Sequence, residues 1–270
     1  MWGRHLDRYL IAGDSSAITT LYFSDPDNIE SWPAINTIQI TGLRGFEYIS
    51  GIGQPLLGSL PIYTKNSTRI LQGTVFPNRE TAGNVVVRVI SDNIGCLSHK
   101  SIRNLKNNKQ YFLSGGQDGA FPGIYAFNGI TVTEKTKGQR SLFKNAVAFA
   151  SATTRDAWNV GVNVPNTFNT GIEVPSAFIL RDKYCTSFTT SNAFEKVTVC
   201  IDENDVVEVL THGEQINTTG QPNTSQIGHF HFDHGVNLNG DTYAIGGDNG
   251  QSAGAQNNRN KIFQLNTGDQ

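Results

Sequence analysis

The chain has 270 residues, 37% hydrophobic and 16% charged, with 28 Gly, a single Met and a formal net charge of −2. So little charge among so many turn-forming residues excludes a mainly helical protein, whose exposed faces would need Ala, Glu, Lys and Leu. The near-neutral balance also excludes a general attraction to nucleic acid or anionic lipid, so any such contact has to be local.

In chain order, "MWGRHLDRYLIAG" places charges where a secretory signal needs an apolar run, and no later stretch approaches the roughly 18 apolar residues of a membrane span. No export signal and no membrane span are therefore expected. Short β-branched and aromatic segments follow, each closed by Gly, Asn, Asp or Ser or running into a polar loop. They are "RYLIAGD" (8–14), "TTLYFSD" (19–25), "NVVVRVIS" (84–91), "KQYFLSG" (109–115), "GIYAFNG" (123–129), "SAFILRD" (176–182), "KVTVCID" (196–202), "DVVEVL" (205–210) and "NKIFQLNTG" (260–268). These read as antiparallel strands joined by turns. Only 140–160 is ambiguous, between a helical turn or two and a long decorated loop. Cys96, Cys185 and Cys200 are odd in number and far apart, with no C-x-x-C pair, so buried free thiols are expected.

A strand of similar type begins near residues 9, 61, 110, 177 and 242, and "GIYAFNG" echoes "KIFQLNTG". That spacing suits blades, each a small meander that buries its faces only by stacking on its neighbours. The expected fold is all-β and β-propeller-like, with four to five blades in one domain over 1–270 and an irregular insertion at about 140–175. A β-sandwich with long loops is the alternative.

The run "RYLIAGDSSAITTLYFSDPDNIESW" (8–32) is a strand closing on Ala-Gly, an aromatic strand ending in Ser-Asp-Pro, then a loop to Trp. It resembles the opening blade of phage tail β-propeller proteins. "PLLGSLPIYTKNSTRILQG" (55–73) follows, and "ISDNIGCLSHKSIRNLKNNKQYFLSGGQDGAFPGIYAFNG" (90–129) is similar to a strand-and-turn pattern of that family. "DTYAIGGDNG" through "NKIFQLNTG" (241–268) resembles a later blade. The likeness rests on strand and turn residues, with no reactive group in it. It implies a non-enzymatic virion structural protein of the tail, assembled in the host cytoplasm: a ring or nozzle component that pairs with copies of itself and docks other tail or portal-proximal proteins. DNA would pass through its channel without being read. No catalytic residue, cofactor or metal ligand follows from the likeness.

Several motifs invite other chemistry. "HFHFDHG" (229–235) has the H-x-H-x-D-H order of metallo-β-lactamases, with His229, His231, Asp233 and His234. Those enzymes take further His and Asp ligands from downstream, and no His follows His234 here. Read as a strand, alternation puts Phe230 and Phe232 on one face and His229, His231 and Asp233 on the other. Two such histidines bind Zn²⁺ or Ni²⁺ weakly, and symmetry copies could complete a site that staples subunits. Asp202, Glu203, Asp205 and Glu208 suggest paired glycosidase carboxylates, but "DEND" is also a turn sequence. With Trp32 and Trp158 they make a carbohydrate-binding or glycan-cleaving propeller the alternative function. "SDPDNIESW" (24–32) fails as a sialidase Asp-box because Pro26 takes the Asp position. Lys100, Arg103, Lys106 and Lys109 form a basic run that suits either DNA phosphates or a protected strand edge. "GIGQPLLG" (51–58) has Leu56 where a dinucleotide motif needs Gly.

Overall fold

A computed structural model describes residues 1–14, 16–41, 47–78, 81–116, 120–144, 177–189, 196–211, 230–238, 241–248 and 261–265. Its described residues form five antiparallel sheets, each a meander of strands in sequence order, and the chain is all-β and propeller-like. The sheets fall into two compact units, one from Met1 to Arg140 and one from Ser141 onward.

The first unit holds three blades. The first is β1 (Trp2–His5), β2 (Arg8–Ile11), β3 (Thr20–Phe23) and β4 (Thr37–Gln39). The second is β5 (Ile49–Ile52), β6 (Leu60–Thr64), β7 (Thr68–Gln72) and β8 (Val86–Ser91). The third is β9 (Arg103–Asn104), β10 (Gln110–Ser114), β11 (Gly123–Phe127) and β12 (Val132–Glu134). The middle strands of the second and third blades, β6, β7, β10 and β11, are buried almost throughout because both of their faces are covered. In β6, Leu60 and Ile62 join a core shared with Leu10, Leu21 and Phe23 of the first blade. Tyr63, one residue on, points the other way into a core with Phe112, Tyr125 and Phe127 of the third. In β7, Leu71 and Ile70 divide in the same manner. The second blade is thus packed between its two neighbours, and only its outer strand β8 alternates into solvent, with Val86 and Val89 exposed.

Close approach at the first strands is set by glycine. A Cβ on Gly3 of β1 would lie 2.6 Å from Ile52 Cγ2 of β5, and one on Gly51 of β5 would lie 2.4 Å from Ile102 Cδ1, just before β9. These glycines dilute the apolar signal of β1 and β5, which is why neither stood out as a strand in the sequence.

The second unit has a four-stranded sheet of β13 (Ala177–Leu180), β14 (Lys183–Thr189), β15 (Lys196–Ile201) and β16 (Val207–Thr211). A three-stranded sheet follows, of β17 (Phe230–Leu238), β18 (Asp241–Asp248) and β19 (Lys261–Leu265). The first strands β13 and β17 neighbour each other, as β1 and β5 do in the first unit. Arg181 and Asp182 both take positive φ, 47° and 62°, in the two-residue turn between β13 and β14, as a hairpin twisted with its strands requires.

The expected free thiols at positions 185 and 200 are corrected. The β14–β15 register sets Cys185 opposite Cys200, with their Cα atoms 4.1 Å apart, and the two buried sulfurs form a disulfide. Register across a hairpin brings together residues whose spacing of 15 in sequence gives no motif. Cys96 is the free cysteine and is buried. At 140–160, the helix α1 (Arg140–Lys144) supplies the helical turn, and 145–176 lies outside the described residues.

Candidate functional site

His231, Asp233 and His234 lie in β17, while His229 lies outside the described residues. The β17–β18 register is regular from Phe230 to Phe232 and shifts between Phe232 and His234. Asp233 is the extra residue of a bulge, which moves every later residue by one position. His231 pairs with Gly247 and His234 with Ile245, so His234 takes the register parity that alternation would have given to Asp233. A bulge of one residue leaves no trace in hydrophobic pattern. No group of three or more His, Cys, Asp or Glu among the described residues is placed to hold a metal ion.

The acids at 202–208 divide between two structural tasks. Asp202 Oδ1 accepts hydrogen bonds from the Asn204 and Val206 amides at 2.9 and 2.8 Å, and its backbone carbonyl accepts from Asp205 N, with Asp205 at φ 66°. That is Asx-turn chemistry at the β15–β16 hairpin. Glu208 instead faces across the sheet, accepting from Lys183 Nζ at 2.5 Å, in an exposed pair that contributes little stability. Trp32 lies in the first unit, where its Nε1 donates to Ile29 O at 2.6 Å, and Trp158 lies outside the described residues.

In the 24–32 loop, Asp25 acts as an internal tie. Its Oδ2 accepts from Ser31 Oγ at 2.6 Å and its Oδ1 from Asn36 Nδ2 at 3.3 Å. "GIGQPLLG" forms the β5–β6 hairpin, with Leu57 and Gly58 at φ 48° and 75°, and leads into a strand where a phosphate-binding loop leads into a helix. The basic run spans a 3₁₀ turn (His99–Ser101), β9 and the β9–β10 turn. β9 is an edge strand of its sheet, so Lys100 lies before one end of it and Lys106 and Lys109 beyond the other.

Two polar seams, one running from the buried Tyr63 out to the exposed Gln54, join the blades, and neither was visible in sequence. Between the second and third, Tyr63 Oη donates to Gln110 Oε1 at 2.7 Å, Gln110 Nε2 to Asn104 Oδ1 at 2.7 Å, and Asn104 Nδ2 to Gln54 Oε1 at 2.7 Å. Gly53 leaves room for the fully buried Gln110 side chain: a Cβ there would meet Gln110 Oε1 at 2.0 Å. At the same junction the Ile52 amide donates to His99 Nδ1 at 3.4 Å. Burial lowers the His99 pKa below its ordinary 6.5, and the positive chain terminus and Arg103 add to the effect.

Between the first and second blades, Phe76 from the β7–β8 loop covers His5 and Arg8. Its ring centroid is 6.3 Å from that of His5 and 5.8 Å from the Arg8 guanidinium carbon. Burial lowers the pKa of His5, opposed by a hydrogen bond to the Gly73 backbone. Arg8 Nη1 donates to Ser24 O at 2.7 Å. The buried atoms His5 Nε2 and Arg8 Nε have no hydrogen-bond partner. Cys96 is inert in this setting, since burial pushes its thiol pKa up to about 12.

These groups tie blades together: carboxylates hold turns, burial holds His5 and His99 below their ordinary pKa, and amides bridge sheets. No family model matches the chain, and no curated protein matches it.

Proposed function

We propose that the chain is a non-enzymatic structural component of a phage tail. In this reading its copies assemble into a ring or nozzle that docks neighbouring tail proteins and lets DNA pass. The observation that carries the reading is where the resembling segments fall. Residues 8–32 contain β2 and β3, 55–73 contain β6 and β7, 90–129 contain β9 to β11, and 241–268 contain β18 and β19. The likeness therefore follows the blades, strand and turn together, as it should if a shared architecture is what the family preserves.

The chemistry of the seams supports a load-carrying role. A blade stack held by apolar faces and buried amides resists displacement without a reaction to perform. Arg103 on β9, flanked by Lys100, Lys106 and Lys109, offers phosphate contacts that carry no base information, as a conduit requires. Native mass spectrometry with electron microscopy of the purified protein tests the proposal. Closed rings of a fixed copy number are expected, and a chain that stays monomeric and does not bind tail particles would remove it.

A further inference from the structure

We infer that one end of the first three blades is the contact surface for a second copy of this chain, stacked face to face. In an up-and-down meander the first and third turns lie at one end of the sheet and the second at the other. The three blades turn this same end to the same side. Phe76 of the β7–β8 loop packs on Phe23, at the end of β3, with ring centroids 4.8 Å apart. Leu57 of the β5–β6 turn packs on Gly129 of the β11–β12 turn, where a Cβ would lie 2.8 Å from the leucine Cδ1.

On that side the turns carry Leu6, Ile29, Ile35, Leu57, Val75 and Ile130, exposed by 47, 58, 56, 74, 47 and 67%. Isolated exposed apolar residues are ordinary, but a set on adjoining turns of one face marks an interaction surface. Two of them also oppose the backbone. Leu6 and Leu57 take φ 55° and 48°, a region where Gly or Asn costs less than Leu.

Charge selects the occupant. The turns of the first blade hold Asp7, Asp25, Asp27 and Glu30, and among the described residues Arg4 pairs with Asp27 and Arg8 with Asp7 and Asp25. The β9–β10 turn of the third blade holds Lys106 and Lys109, with no acid from Asn93 to Gln117. With the second blade packed between the other two, the face is acidic at the first blade and basic at the third, with Leu57 and Val75 between them. Such a strip is self-complementary about a two-fold axis through its middle: each acidic end meets the partner's basic end while Leu57 and its apolar neighbours bury one another. This stacking contact is separate from the side-by-side contact that would close a ring.

Light scattering and sedimentation of the full chain test the inference, with Leu57→Lys, Ile130→Lys, Lys106→Glu and Lys106→Glu/Glu30→Lys variants. These side chains lie on exposed turns, and circular dichroism checks that each variant folds. The wild type is expected at an even multiple of the chain mass. Either apolar-to-lysine change should halve that mass and raise the dissociation constant about tenfold or more. Lys106→Glu should weaken association, and adding Glu30→Lys should restore it, because a two-fold contact brings these two ends together. A monomeric wild type would overturn the inference, as would a monomer that binds lipid vesicles through this face. A multimer whose mass Leu57→Lys leaves unchanged would also overturn it, while leaving a side-by-side ring in place.

Discussion

Phe76→Ala probes the seam between the first two blades most directly. The ring is 4% exposed, lies 4.8 Å from the Phe23 ring and covers both His5 and the Arg8 guanidinium. Its removal loses the transfer energy of a buried phenyl group and leaves a cavity that the strands of two sheets cannot collapse into, about 3–5 kcal/mol. The cation–π contact with Arg8 adds about 0.5–1 kcal/mol of that kind. Phe76→Leu, which keeps most of the volume, should cost about half as much or less. Urea unfolding followed by circular dichroism reads the loss. A histidine NMR titration gives a second readout, because water entering the cavity should move the His5 pKa back up towards 6.5. A loss below about 1 kcal/mol with the His5 titration unchanged would show that Phe76 does not hold this seam.

Four further outcomes follow from the same structure. Denatured without reductant, the chain should present one reactive thiol, Cys96. Cys185→Ala/Cys200→Ala should lose about 3 kcal/mol for a sequence separation of 15, and three reactive thiols would contradict the pairing. Gln110→Leu should cost about 1–3 kcal/mol, because it leaves the buried Tyr63 hydroxyl without its acceptor, and an unchanged midpoint in urea would contradict that seam. Gly53→Ala should also destabilise, since a Cβ would fall 2.0 Å from Gln110 Oε1. Burial holds the pKa of both His5 and His99 below the 6.5 of the unfolded chain. The unfolded state therefore binds more protons in acid, and stability should be full above about pH 6.5 and fall as the pH drops through it. Urea midpoints measured from pH 8 to pH 5 check this, and a flat or rising profile toward acid would refute it.

The strands legible in sequence include buried and half-exposed ones alike, for "NVVVRVIS" became β8, whose Val86 and Val89 are exposed, and "DVVEVL" became β16. "KQYFLSG" and "GIYAFNG" became β10 and β11, and the repeat anchors near 9, 61, 110 and 242 fell in the second strands β2, β6, β10 and β18, with the anchor at 177 opening β13. The echoing "GIYAFNG" and "KIFQLNTG" are third strands of their sheets. Among the strands that escaped notice, β1 and β5 carry glycines demanded by neighbouring blades, a tertiary fact with no local signature, while β4 and β12 are only three residues long. The histidine motif was legible as a strand, but the register shift between Phe232 and His234 was not. The Cys185–Cys200 bridge and the Tyr63–Gln110–Asn104 chain depend on pairing between segments. Composition and spacing carry none of that information.

Cryo-electron microscopy of virions that carry this protein is the most direct measurement of the account. Density for a ring of blade sheets at the tail below the portal, with β9 and its basic flanks facing the DNA path, is the predicted result. Virions whose tails contain no such density, or a protein recovered only outside the particle, would contradict it.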